Sequence, residues 1–320
     1  MSDNRLHPME QVDNALMKRL CEPYGLVPEG FSVLSGGLIN TNVKVETAEG
    51  PVLLRIYISE RTCEQVEFEM SVLKQLHEQG LPVQRPRSTV NGALVSSDSG
   101  RHHVVLDFVP GTAMDDEDLD DRMAADIGRF VAHMHEALDG FVPRGSRPSA
   151  DTAFIDTQLD SLAELEGGYR GVQNLWPAIR DYFNSRDVAQ GVVHADIYPG
   201  NIIVDETNRL RAVIDFDDCY WGTQVFDLAI VTMAFSFIGA CGHDWRRAGL
   251  VLGAYEAVRG PIDSQDLYLS MILNCVRFYV YTLPLTRAEG REAIENPFAR
   301  RAAHLVDATT RTEFFTSREL

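Results

Sequence analysis

The segment His194-Ala-Asp-Ile-Tyr-Pro-Gly-Asn201, followed by Ile214-Asp215-Phe216, constrains this chain more than any other feature. Two short apolar runs lie between the pieces, Ile202-Ile-Val204 and Ala212-Val-Ile214. The turn-rich Asp205-Glu-Thr-Asn208 separates them, so they read as a small hairpin. That hairpin carries Asp215 back across from Asp196 and Asn201. Phosphoryl transfer asks for a carboxylate that orients and deprotonates the attacking hydroxyl, and for oxygen ligands that hold magnesium against the phosphates. Asp196 is placed for the first task; Asn201, five residues later, and Asp215 are placed for the second. Magnesium prefers such hard oxygen ligands and keeps several waters. Two other readings of the same residues compete: an acidic hairpin in an unrelated fold, and a metallohydrolase using His194, Asp196 and Asp215.

Upstream, the chain alternates strands and helices. Apolar spacing from Val12 to Tyr24 predicts a helix. Phe31 to Val45 holds two β-rich runs around Gly36-Gly37, a hairpin with a tight tip, and Pro51 to Ile58 reads as a third strand. Glu64 to Gln79 has helical spacing and Gly80 is its natural stop. Val104 to Phe108 is another strand, ended by Pro110-Gly111, and a helix is expected from Arg122 to Leu138. The acidic stretch Asp115 to Asp121 can supply its N-terminal charge. Beyond that the chain reads as mainly helical outside Val192 to Phe216, and Phe226 to Gly242 reads as a buried helix. The expected fold class is α+β: a small β-rich N-terminal lobe over 1–108 and a larger, mainly helical lobe over 109–320.

Composition narrows the partners. Of 320 residues, 45% are hydrophobic and 24% charged, enough for a sizeable core and against disorder. The formal net charge of -18, from 29 basic and 47 acidic residues, repels phosphate backbones and anionic membranes. Neither nucleic acid nor a membrane surface is therefore an expected partner. A cationic substrate suits the charge, although the same acidity serves solubility alone. The five cysteines, Cys21, Cys63, Cys219, Cys241 and Cys275, form no C-x-x-C and no disulfide-like framework. With no signal-like segment in Met1 to Glu10, a reducing cytoplasm with free, mostly packed thiols is expected.

His-x-Asp-x-x-x-x-Asn with a following Asp is the kinase arrangement, here with Ala195 at the arginine position and Asp-Phe-Asp for Asp-Phe-Gly. From Leu34 to Ala229 the sequence resembles the aminoglycoside phosphotransferase and choline kinase family, including its homoserine kinase branch. The resemblance implies a kinase-like two-lobed fold, with ATP or GTP and Mg2+ as cofactors. It makes Asp196 the catalytic base, Asn201 and Asp215 the metal ligands, and Asp227 a buried acid that braces the catalytic loop. Ser35-Gly36-Gly37-Leu38-Ile39-Asn40 resembles the nucleotide loop, where Gly36, Gly37 and Asn40 approach the phosphates. Arg55 takes the phosphate-binding lysine position, with Glu69 as its expected partner; an ordinary surface ion pair is the plain alternative. Val105 to Gly111 resembles the hinge, whose backbone from Asp107 through Phe108 to Val109 would bond adenine. His194 reads as structural and His135 as a packed core histidine. Asp217 and Asp218 stay open between a second metal, a substrate amine and plain solvated acid.

The leading expectation is an ATP- and magnesium-dependent kinase acting on a hydroxyl of a small molecule. An amino acid such as homoserine or hydroxylysine, an aminoglycoside, and a choline-like alcohol all remain candidates, and an amine-bearing alcohol suits the acidic balance. A protein Ser/Thr kinase of the same fold is disfavoured. Ala195 removes the arginine that would read an activation-loop phosphate, and little sequence separates Asp215 from Asp227. A non-catalytic nucleotide-binding module has only Arg55 in its favour.

Overall fold

The structure is a computed structural model that describes residues 12–34, 39–58, 60–115, 118–149, 152–164, 170–239 and 242–318. After helix α1 (Asn14–Cys21) come strands β1 (Gly30–Val33), β2 (Thr41–Glu46) and β3 (Val52–Ile56), then helix α2 (Cys63–Glu78). Strands β4 (Ser96–Asp98) and β5 (Arg101–Asp107) complete a five-stranded antiparallel sheet of order β1-β2-β3-β5-β4.

The sheet is made by a period-2 pattern on its central strand. In β3, Val52, Leu54 and Ile56 pack with Leu16, Met17 and Leu20 of α1. Leu53 and the following Tyr57 pack with Val66, Phe68 and Met70 of α2. Arg55 lies between Leu53 and Tyr57 in the alternation, so it faces α2. Thr62 and Gln65 form a capping box that starts α2, which ends just before Gly80 in a left-handed conformation (φ 81°).

The remaining chain is mainly helical, with short strands threaded through it. β6 (Thr112–Ala113) is followed by α3 (Asp121–Ala137), α4 (Thr152–Glu164) and α5 (Arg170–Asn184). Asp120, from the acidic stretch, caps α3 by accepting from the Met123 amide at 2.7 Å. Then come β7 (Gln190–Val193), β8 (Ile202–Val204), β9 (Leu210–Val213) and β10 (Tyr220–Thr223). β8 and β9 form the expected hairpin, with β6 on its edge, and β10 pairs antiparallel with β7. Helices α6 (Gln224–Ala234), α7 (Trp245–Arg259), α8 (Ser264–Ala288), α9 (Pro297–Leu305) and α10 (Ala308–Arg318) finish the fold.

One apolar stretch departs from expectation. The buried helix read over Phe226 to Gly242 stops at Ala234, and Phe237–Ile238 pairs antiparallel with Gly242–His243. Ser236 donates its hydroxyl to the Met233 carbonyl and Gly239 takes a left-handed φ of 60°, both of which favour turning over helix. Cys21, Cys219 and Cys275 are buried free thiols; Cys63 is exposed, and Cys241 lies outside the described residues. Among the described residues, no helix is long and apolar enough to cross a membrane.

α3 and α7 touch backbone to backbone at Gly128. A Cβ added there would lie 2.1 Å from the Val251 carbonyl oxygen, so the helices would have to part. Gly128→Ala is expected to lower stability by about 1–3 kcal/mol, the cost of overpacking a filled core. It would be read as a lower urea midpoint at unchanged slope. A midpoint equal to the parent's would contradict this close approach.

Candidate active site

The loop between β7 and β8 is built around one buried carboxylate. Asp227, in the first turn of α6, has no exposed surface. It accepts the His194 amide at 2.8 Å and the Ala195 amide at 2.7 Å. It also meets His135 Nε2 at 3.3 Å, while the Nδ1 of that ring lies 2.9 Å from the Tyr255 hydroxyl. Ala195 is held at a left-handed φ of 69°, and its carbonyl accepts from Arg277 Nη1 at 2.8 Å.

His194 ties the loop to the strand that leads into Asp215. Its Nδ1 accepts the Asp196 amide at 3.2 Å, which leaves Nε2 to donate to the Ile214 carbonyl at 3.1 Å. Burial lowers its pKa against the pull of Asp227, so the ring is a neutral fixture. Asn201 closes the other end. Its amide nitrogen donates to the Asp196 carbonyl at 2.8 Å and to Asp196 Oδ2 at 3.2 Å, and its own carbonyl accepts the Ile214 amide at 2.9 Å. Asp196, Asn201 and Asp215 are thereby brought together as the sequence spacing implied.

Asp215 sits in the left-handed region at φ 66°, with its side chain 44% exposed. Arg55 Nη1 reaches its Oδ1 at 3.2 Å and Glu69 Oε1 at 3.1 Å, while Arg55 Nε donates to Asn42 Oδ1 at 3.0 Å. The expected Arg55–Glu69 pair is therefore present, and it is buried, not a surface pair. The Tyr57 hydroxyl donates to the other Glu69 oxygen at 2.9 Å. Glu67 points outward and is exposed.

The remaining expected residues differ in what they offer. Gly36 and Gly37 lie outside the described residues. Asn40 is buried, and its Oδ1 accepts the Ile58 amide at 3.3 Å. The Asp107 amide donates to the Arg85 carbonyl at 2.9 Å, and its carboxylate is taken by Arg85 and Arg87, each at 2.7 Å. Phe108 and Val109 are half-buried just beyond β5, with Lys44 Nζ 5.0 Å from the Phe108 ring centroid.

Three arginines to which the sequence assigned no role adjoin the site. Arg277 carries a side chain only 2% exposed, lies against Phe278 and Tyr281, and approaches Asp218 at 3.9 Å. The available signal was the run Arg277 to Tyr281 on α8, an arginine beside aromatics with no role attached to it. Arg61 and Arg147 both bind Asp217, at 2.9 Å and 3.5 Å. This separates two acids that looked alike: Asp217 is buried in an arginine clamp, whereas Asp218 is 43% exposed beside Asp196 and Arg277. Burial first, and then the Asp218 charge, push the Asp196 carboxyl up to about 8 against the opposing Arg277.

The donor set suits magnesium. Among the described residues no three His, Cys, Asp or Glu side chains cluster as a protein cage. Magnesium needs none, since it is commonly bound through one or two carboxylates together with phosphates and waters. Asp215 offers a half-exposed carboxylate, and Asn201 an amide oxygen on the same hydrogen-bonded loop.

A family model described as the phosphotransferase enzyme family matches residues 30–261. A homoserine kinase of Caulobacter vibrioides is 24% identical over 285 residues, covering 83% of this chain and 86% of that protein. A microcompartment-associated aminopropanol kinase superposes with a TM-score of 0.69 at 18% identity, over 95% of this chain and 98% of that one. An amicoumacin kinase superposes with a TM-score of 0.68 at 15% identity, over 95% and 91%.

Asp227→Ala is expected to destabilise by about 2 kcal/mol or more, because two buried amides would each lose their acceptor. Burial opposes ionisation of Asp227, but the His135 bond and the His194 amide hold its carboxyl below its usual value. Its stabilisation is then complete above the unfolded carboxylate pKa of about 3.9 and is lost as pH falls through the lower folded value. The gap between the parent and Asp227→Asn should narrow over that acid window in urea titrations. A gap that widened on acidification would reverse the sign.

Proposed function

The chain belongs to the phosphotransferase enzyme family, and from that premise we propose that it transfers the γ-phosphoryl group of ATP to the hydroxyl of a small, amine-bearing molecule. The observation that carries this reading is the loop in which Asn201 holds both the Asp196 carboxylate and the strand end at Asp215. In the proposed assignment the nucleotide-binding lobe spans 1–108 and the catalytic lobe 109–320. Asp196 orients the acceptor hydroxyl and takes its proton as the oxygen attacks. Asn201 and Asp215 would hold magnesium, which supplies neutralisation of phosphate charge when bound. Arg55 remains cationic under all conditions and has a fork that Glu69 orients toward the phosphates. Adenine would lie against the backbone beyond β5. There Phe108 and Val109 are the better donors, since the Asp107 amide is already engaged by Arg85; Asp107 would contribute its carbonyl.

The acceptor side favours a cation. Asp218 is half-exposed and raises the Asp196 pKa, so an ammonium group placed between them relieves repulsion and helps Asp196 ionise. Homoserine kinase and aminopropanol kinase name acceptors that share an ammonium group and a hydroxyl. A homoserine-like or aminopropanol-like acceptor is therefore the proposed class, in preference to a peptide hydroxyl.

Coupled ADP release with homoserine, 1-amino-2-propanol, choline, an aminoglycoside and a serine peptide tests the reading. Turnover with an amine-bearing alcohol and none with the peptide is expected. ADP release indifferent to every acceptor would sink it. Asp196→Asn should retain nucleotide affinity yet lose about 100-fold or more in turnover. Asp215→Ala should abolish the magnesium dependence of nucleotide binding in calorimetry. Turnover of Asp196→Asn within a few-fold of the parent would remove Asp196 from the mechanism.

A further inference from the structure

The segment between α3 and α4 crosses helix α2 as a strap. The Arg144 amide donates to Ser71 Oγ at 3.0 Å. Gly145 lies so close to α2 that an added Cβ would fall 2.1 Å from the Glu64 carbonyl oxygen, and its φ of 73° is one that glycine adopts without strain. The Ser146 hydroxyl reaches Glu64 Oε2 at 3.4 Å. The strap thus delivers Arg147 beneath α2 at a fixed depth.

Arg147 spends its whole fork there. Nε donates to the Gln65 carbonyl at 2.8 Å, and Nη2 to Glu69 Oε2 at 2.9 Å. Nη1 donates to the Asp217 carbonyl, and Nη2 lies 3.5 Å from Asp217 Oδ1. Arg61 grips the same turn, donating to the Asp217 carbonyl at 3.1 Å and to its carboxylate at 2.9 Å. The result is an alternating chain of charge: Asp215, Arg55, Glu69, Arg147, Asp217 and Arg61. Both Glu69 oxygens are committed, one to Arg55 and the other to Arg147 and Tyr57.

Resting on the phosphotransferase reading, we propose that Arg147 is a positioning residue, a built-in latch that fixes α2 and the turn after Asp215 in one arrangement. Arg147 touches neither Asp196, Asn201 nor Asp215 through any of these bonds; it acts through Glu69 and Asp217. Removing it leaves two buried carboxylates short of a cation. Glu69 is then free to draw Arg55 away from Asp215, and the Asp217 turn keeps Arg61 alone. Both changes fall first on the phosphate side of the site; on the acceptor side Asp218 keeps Arg277, which the Ala195 carbonyl anchors independently of the strap.

The latch is tested by Arg147→Ala and by the milder Arg147→Lys, which keeps the charge but cannot span all three partners. Hydrogen exchange is measured on the protein alone, and kinetics with ATP and the accepted alcohol. Arg147→Ala should raise the nucleotide KM and lower kcat together by about 10–100-fold in kcat/KM, the scale of a small misplacement of reacting groups. The acceptor KM should move less than about threefold, with Arg147→Lys intermediate. Exchange should quicken in α2 and at 216–219 while β7 and α8 keep the parent's rates. If Arg147→Ala does not fold, Arg147→Lys must still show the nucleotide-specific defect. Unchanged exchange in α2 overturns the latch, as does an equal loss on both substrates or a uniform loosening of the chain. Localised loosening in a protein whose parent turns over no ATP would leave the latch standing and bring down the phosphotransferase reading instead.

Discussion

The loop that carries Asp196 depends on burying a charge. Asp227 has no contact with solvent, yet burial of an unpaired carboxylate is among the costliest acts available to a fold. Here the cost is offset by two backbone amides, by His135 and by a position in the first turn of a helix, where the macrodipole favours negative charge. The same bonds hold Ala195 in a conformation that non-glycine residues rarely take. Strain at Ala195 is therefore over-determined from three directions: Asp227 on its amide, Arg277 on its carbonyl and His194 alongside. Everything that the loop offers to a substrate follows from that arrangement.

A second charged assembly faces it from the sheet. Alternation in β3 sets Val52, Leu54 and Ile56 toward α1 and turns Arg55 toward α2 with Leu53 and Tyr57. A cation in that position is tolerated only because Glu69 lies under it with no exposed surface of its own. The two assemblies meet at the β8–β9 hairpin, since the strand end bound by His194 and Asn201 leads into Asp215, which Arg55 reaches. Packing, not flexibility, places the two carboxylates and the asparagine.

How much of this was legible in the sequence follows from the distance between partners along the chain. Asp196 and Asn201 share one turn, so their spacing encodes their meeting. Arg55 and Glu69 were paired by the family resemblance, and the periods of their adjacent elements, two and 3.6, let them face each other. Arg147 and Arg277 carry no such signal. Their partners lie 78 and 82 residues away, and an isolated arginine in a turn or on an apolar helix face announces nothing by itself. Asp217 and Asp218 were indistinguishable as letters, because a tight 3-10 turn sends neighbouring side chains to opposite environments. The overlong helix after Phe226 failed for a related reason: an apolar run reports burial, and burial does not distinguish a helix from a turn packed beneath others.

The short path from Asp215 to Asp227 has a consequence for control. After the turn at 216–218, residues Tyr220–Thr223 are committed to a strand paired with β7, and α6 begins at Gln224. No length remains for a segment that could fold over the site or be released from it by modification. In kinases with a long activation segment, the pairing of the phosphate-binding cation with its helix glutamate is conditional on that segment. In this chain the cations that hold Glu69 and Asp217, besides Arg55, come from Arg61 and from a strap fastened along α2 by Ser71, Glu64 and Gln65. They are covalent parts of the fold and are always charged. On the proposed reading, a centre with no switch segment between Asp215 and Asp227 is assembled permanently, and buried arginines in turns are the means.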